Sequence, residues 1–119
     1  MIYREPEEIT KEETGRELLG TPAQASAALF RAALWLDDPE WLETLLLKSL
    51  KDSREDVRDA ALLSLGHIVR LQKFVSEASV EAIVQAIQPF LSDPKLSERA
   101  EDALDDIEVF RPGSDYAKD

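Results

Sequence analysis

The sequence predicts an all-α protein, a short stack of helix pairs. Three observations carry this. No segment alternates apolar and polar residues with period 2 over a useful length, so no strand is expected. Three helix starts share one signature, a capping residue followed by proline: Thr21-Pro22, Asp38-Pro39 and Asp93-Pro94. The apolar positions Val57, Ala61, Leu65 and Ile68 recur as Leu96, Ala100, Leu104 and Ile107 at a constant offset of 39. A helix–turn–helix unit with a period of about 40 residues marks a repeat protein, in which each unit buries its apolar side against its neighbours.

Residues 1–20 read as an acidic N-terminal arm. Within it Thr10-Lys11-Glu12-Glu13 has capping-box form, which predicts a short helix over 11–19 ended by Gly20. Few of its residues can be buried, so it is expected to fray. Thr21-Pro22 opens the next helix, predicted over 22–36. Ala25, Leu29, Ala32, Ala33 and Leu36 share its core face; Gln24, Ala27, Ala28, Arg31 and Trp35 share the other. Asp38-Pro39 starts a helix over 39–51, with Leu42, Leu45, Leu46 and Leu50 in one stripe. A longer helix is predicted over 54–73, with Ser53 or Asp52 at its start and Val57, Ala61, Leu65, Ile68 and Leu71 as its core stripe. Another begins at Ser76 or Ser79 and runs through Val80, Ile83, Val84 and Ile87 to Leu91, kinked in its last turn by Pro89. Asp93-Pro94 starts the final helix, over 95–110, which Pro112-Gly113 ends. The expected organisation is the arm, 1–20, a helical stack, 21–112, and a frayed tail, 113–119.

Composition narrows function by exclusion. With 119 residues the chain supports one modest core. It has no cysteine and one histidine, which excludes thiolate metal sites, a cysteine nucleophile and any multi-histidine zinc site. The N-terminus lacks the basic and apolar regions of a secretory signal, and no apolar run reaches the ~18–20 residues that span a bilayer, so a cytoplasmic location is expected. Asp and Glu number 25 against 14 Lys and Arg, a net charge of −11. Such a surface repels nucleic acid and anionic lipid, and it attracts basic partners. Solubility alone is the plainer explanation of the same charge.

The resemblance to a known family lies in residues 42–69, LETLLLKSLKDSREDVRDAALLSLGHIV. They resemble a HEAT repeat: an apolar first helix, an Asp in the turn, then Val-Arg, Ala-Ala and Leu-Gly. In that family the Asp caps the second helix and the Arg ladders to it; Asp52 and Arg58 match those positions. The following unit keeps Asp93 but carries Ser97 in place of the Arg, with Arg99 nearby. LGHIVRLQ at 65–72, the Pro-containing helix and ERAEDALDDIEVF at 98–110 are similar to small HEAT-repeat immunity proteins of bacterial polymorphic toxin and contact-dependent growth inhibition systems. The resemblance implies a short right-handed HEAT-like α-solenoid whose second helices line a concave face. It also implies a cognate protein toxin as partner, bound by a monomer in a 1:1 complex and blocked by occlusion of its active site.

The candidate binding residues are acidic. Glu98, Glu101, Asp105 and Glu108 fall opposite the apolar stripe of the last helix, flanked by Asp102 and Asp106. Between Asp93 and Glu108 there are seven acids and two bases, a local charge of −5. Like charges one turn apart cost ~0.2–0.5 kcal/mol each, and acids near a helix C-terminus oppose its dipole. A basic, nuclease-type toxin would repay that penalty; a solvated acidic face is the alternative. The expected partner-binding set is Glu98, Glu101, Asp102, Asp105 and Asp106, with Glu55, Asp59 and Trp35. A metal site at Asp102, Asp105 and Asp106 is disfavoured, since one convex stripe does not converge oxygens on a cation. His67 has no paired nucleophile and is read as a packing residue beside Gly66. Trp35 is either covered by the arm or an exposed anchor, and Trp41 packs on the preceding helix. No catalytic residue, cofactor or metal is expected, and the chain is read as a non-enzymatic binding protein. The alternative is a general HEAT-type scaffold without a toxin partner; an enzyme of the HEAT-like lyase kind would need an apolar ligand cleft.

Overall fold

The helix-start signals become real caps. In the computed structural model, which describes residues 7–113, Thr10 Oγ1 accepts from the Glu13 N–H (3.1 Å) and opens α1, Lys11–Leu18. That is one direction of the capping box. Thr21 and Gln24 form both directions and open α2, Pro22–Trp35. Asp38 accepts from the Trp41 N–H (3.1 Å) at the head of α3, Pro39–Ser49. Ser76 and Ser79 cap each other's backbone at the head of α5, Glu77–Ile87. Each cap satisfies amides that the first helical turn leaves without partners.

The other starts depart from expectation. α4 runs Glu55–Arg70, and neither Ser53 nor Asp52 caps it in the usual way. Asp52 instead accepts from the Arg54 N–H (2.9 Å), closing a tight turn one step ahead of the helix. α6 runs Ser97–Phe110, because Asp93 accepts from the Lys95 and Leu96 amides and holds residues 94–96 as a turn. Pro89 does more than kink α5: lacking an N–H, it ends the helix, and Gln88–Ser92 form a 3-10 turn, η1.

The helices form two layers among the described residues. α2, α4 and α6 pack side by side, with α4 in the middle. α1 packs on α2, α3 on α4 and α5 on α6, and η1 also packs on α6. No described residue lies in a strand. The radius of gyration, 14.0 Å, is that of a compact chain of this length.

The central position of α4 explains where the stripe reading fell short. Val57, Ala61, Leu65 and Ile68 are buried as expected, and so are Ala60, Leu62, Ser64, Gly66 and Val69. A helix with neighbours on three sides buries most of its circumference. Leu71, by contrast, is 44% exposed, because the chain leaves the helix there. In α2, Ala28 is fully buried rather than on the outer face, since α1 and α4 cover α2 from both sides. Leu36 and Leu45 are only half-buried. Of the offset-39 partners, Leu96, Ala100 and Ile107 are buried and Leu104 packs against the same core.

Two buried contacts fix how neighbouring helices sit. Gly66 faces the backbone of α6: a Cβ there would lie 3.3 Å from the Ala103 Cα. Glu43, 7% exposed, accepts from the Val75 N–H (2.6 Å) and the Ser79 hydroxyl (2.9 Å), fixing the α4–α5 connection against α3.

Candidate functional site

The expected acidic residues divide by helix face. On α6, Ala100, Ala103 and Ile107 point into the core. Glu98, Glu101, Asp102 and Asp105 are exposed, and Asp106 is half-buried. Stepping 100° per residue, Arg99, Asp102 and Asp106 fall on the side toward α4, while Glu98, Glu101 and Asp105 point away from the molecule. The two bases of this segment are already engaged. Arg99 Nε donates to Asp59 Oδ1 at 3.1 Å, and Lys95 Nζ lies 3.7 Å from Glu55 Oε1. Among the described residues, no cation lies within ion-pair distance of Glu98, Glu101, Asp102 or Asp105.

This arrangement changes the roles of Glu55 and Asp59. Both sit on α4 beside the acidic helix, but they neutralise Lys95 and Arg99 rather than add free negative charge. Asp59, Lys95, Glu98, Arg99 and Asp102 line one shallow cleft of about 220 Å³. The paired bases stiffen the α4–α6 seam, and the acids of α6 project beyond it. Surface pairs of this kind stabilise by ~0–1 kcal/mol, so their main effect is to leave a one-sign rim.

Trp35 does not join this set. It lies on α2, which α4 separates from α6. One turn earlier Arg31 donates from Nε and Nη2 to the carbonyls of Glu7 and Glu8, both at 2.8 Å, so this side of α2 faces the N-terminal arm. Trp35 is half-buried on that side. Trp41 packs against the core with the Lys11 ammonium 5.5 Å from its ring centroid, and Lys11 also bridges to Asp38.

His67 lies on the outer side of the central helix. Its ring is half-buried, 6.4 Å from the Phe30 ring of α2. Burial holds its pKa below the ordinary value; Asp106 pulls upward, and Arg70 and Arg99 push down. Among the described residues no Ser or Lys nucleophile is bonded to it, and no three His, Asp or Glu side chains are placed to hold a metal ion. No described helix is long and apolar enough to cross a membrane.

The turn corresponding to the HEAT ladder is built differently from the resemblance. The Asp52 carboxylate is taken by Arg54, Nε to Oδ1 at 2.9 Å and Nη2 to Oδ2 at 3.0 Å. Arg58 reaches the Asp52 main-chain carbonyl instead (2.9 Å). Arg99 pairs with Asp59, not with Asp93.

No protein-family model matches the chain. No curated protein sequence matches it. Among solved structures, the fold is similar to a chain in the crystal structure of a CDI complex from Cupriavidus taiwanensis. The TM-score is 0.77 at 27% identity, over 93% of this chain and 98% of that one. The class that fold and comparison define is an all-helical protein similar to a component of a CDI complex.

Proposed function

We propose that this chain is an immunity protein of a contact-dependent growth inhibition system, which binds a cognate basic toxin of nuclease type and silences it by occlusion. The observation that carries the reading is the likeness, over nearly the full length of both chains, to a chain from a CDI complex. The net charge of −11 supports its inhibitory side: an acidic surface competes with a nucleic acid for a basic cleft. On this reading the stack over 21–112 is a three-unit HEAT-like solenoid, with α2, α4 and α6 as the second helices, and the protein works in the cytoplasm as a monomer in a 1:1 complex. It needs no catalytic residue, cofactor or metal.

The acid rim of α6 steers the partner. Replacing Glu101→Lys and Asp105→Lys together should slow association with the cognate toxin domain by about tenfold at low salt and flatten its salt dependence. Both side chains are exposed, so the circular-dichroism spectrum should not change. Stopped-flow association at two ionic strengths measures this. Unchanged rates with the double variant would remove these two acids of α6 from the encounter.

A further inference from the structure

We propose that the open face across α2, α4 and α6 seats a basic amphipathic segment of the partner, with its apolar edge on α2 and its basic edge on α6. This rests on the toxin-binding reading above. The face is built from three adjacent lanes. On α2, Ala23, Ala27, Phe30 and Leu34 recur at helical spacing on the side away from the buried Ala25, Leu29 and Ala32. Leu34 is 43% exposed. On α4, Leu63 and His67 form the middle lane, one turn apart and both half-buried. The Phe30–His67 ring contact joins the first two lanes. On α6, Asp102 and Asp106 form the third, and Asp106 acts electrostatically on His67.

Chemistry therefore grades across the face, from apolar and aromatic to imidazole to carboxylate, with the cation Arg70 near His67 at the end of the middle lane, turned onto the Phe110 ring. Among the described residues no ion pair engages the carboxylates at its edge, Asp102 and Asp106; Arg99 and Lys95 are paired with Asp59 and Glu55. That leaves charge complementarity for a basic occupant, and the apolar lane leaves area to bury. The opposite layer is different in kind. Its groove of about 540 Å³ between α1 and α3 is lined by Leu18, Leu19 and Leu45 with Lys48, Lys51 and the Asp52–Arg54 ion pair, a border whose net charge is positive and repels such an occupant. The two edges of the seat should act on different rates: buried apolar contacts hold the complex, and rim charges speed its formation.

The test uses the full chain and the cognate toxin domain, with association and dissociation read separately by surface plasmon resonance. Leu34→Gln and Ala27→Gln are neutral, helix-compatible and exposed, so they alter the apolar lane without touching charge or core. Together they should speed dissociation by ~10–100-fold and leave association within about twofold. Ala27→Gln alone, which removes no packing, should show the same direction. Asp102→Lys with Asp106→Lys should slow association about tenfold. Leu19→Gln, at a site 89% exposed on the opposite layer, should change neither rate. If Leu34→Gln and Ala27→Gln leave dissociation unchanged while the wild type still neutralises the toxin, the docking face is wrong and the immunity function stands. If the wild type neither binds nor neutralises the toxin, the functional reading falls and the docking face with it.

Discussion

Gly66→Val should lower the melting temperature by about 10 °C. The missing side chain of Gly66 is what lets α4 and α6 approach: a Cβ would sit 3.3 Å from the Ala103 Cα and 3.6 Å from both its Cβ and its carbonyl oxygen. All three contacts lie on one residue in the middle of a helix, so no flexible side chain can yield. Valine adds two methyl groups in the same direction and forces the helices apart, at a cost of ~2–3 kcal/mol. For a domain of this size each kcal/mol corresponds to about 4 °C. Gly66→Ala should come out within about 1 kcal/mol of wild type, since better helix propensity offsets a shift of a few tenths of an ångström. Thermal unfolding followed by circular dichroism separates the two. A valine variant melting within a degree or two of wild type would mean the helices do not cross here.

The second large effect is expected at Asp52. Its carboxylate accepts from the Arg54 N–H and grips the Arg54 guanidinium, which in turn donates to the Leu18 carbonyl (3.0 Å) and the Gly20 carbonyl (3.2 Å). Arg58 adds a bond to the Asp52 carbonyl. One turn thus ties the α3–α4 connection to the end of α1. Asp52→Ala should destabilise by ~1–2 kcal/mol, the scale of a lost cap plus a partly exposed ion pair. The pH dependence has a definite sign. Bonds from the Arg54 side chain and backbone hold the Asp52 carboxyl down to about 2, below the ordinary 3.8. A depressed carboxylate pKa stabilises the fold fully above pH ~4, and that contribution fades as pH falls toward ~2. Asp52→Asn should therefore narrow the gap to wild type between pH ~4 and ~2. Urea midpoints across that range measure it; a gap that widens as pH falls would contradict the tie.

Helix starts were legible in the sequence because capping is local. Thr10, Thr21, Asp38 and Ser76 each bond to an amide three residues on, so a short window contains both partners. Ends were less legible. α4 stops in a Schellman turn, with the Lys73 N–H on the Ile68 carbonyl (2.7 Å) and the Gln72 N–H on the Val69 carbonyl (3.0 Å). The residue that takes the positive φ of 61° is Gln72, not a glycine, so the usual marker is missing. Its side-chain amide bonds to the Val69 and Phe110 carbonyls (3.1 and 3.0 Å), a tertiary compensation no local window contains. Glu43 was missed for the same reason: its partners, Val75 and Ser79, lie 32 and 36 residues away.

The candidate site divides along similar lines. The outward stripe of acids on α6 follows from helical period alone. The neutralisation of Glu55 and Asp59 does not, because it depends on α4 and α6 being neighbours. Even so, a signal was present: Glu55–Lys95 and Asp59–Arg99 are each separated by 40 residues, close to the offset of 39 between the matching apolar positions of the two helices. In stacked repeats, opposite charges one period apart are candidates for a bridge between neighbouring units. Trp35 carried no such signal, since its surroundings depend on the path of the arm over α2.

The central claim is that the chain silences a toxin by binding it, and titration tests it most directly. Increasing amounts of the purified chain are added to a fixed amount of the proposed cognate toxin domain, at a concentration well above the dissociation constant, and residual nuclease activity is read. Occlusion predicts a linear fall that breaks near one equivalent and does not change with longer incubation. Complete inactivation far below one equivalent, deepening with time, would mean that the chain acts on the toxin catalytically, and activity unaffected at several equivalents would mean that the toxin is not its partner.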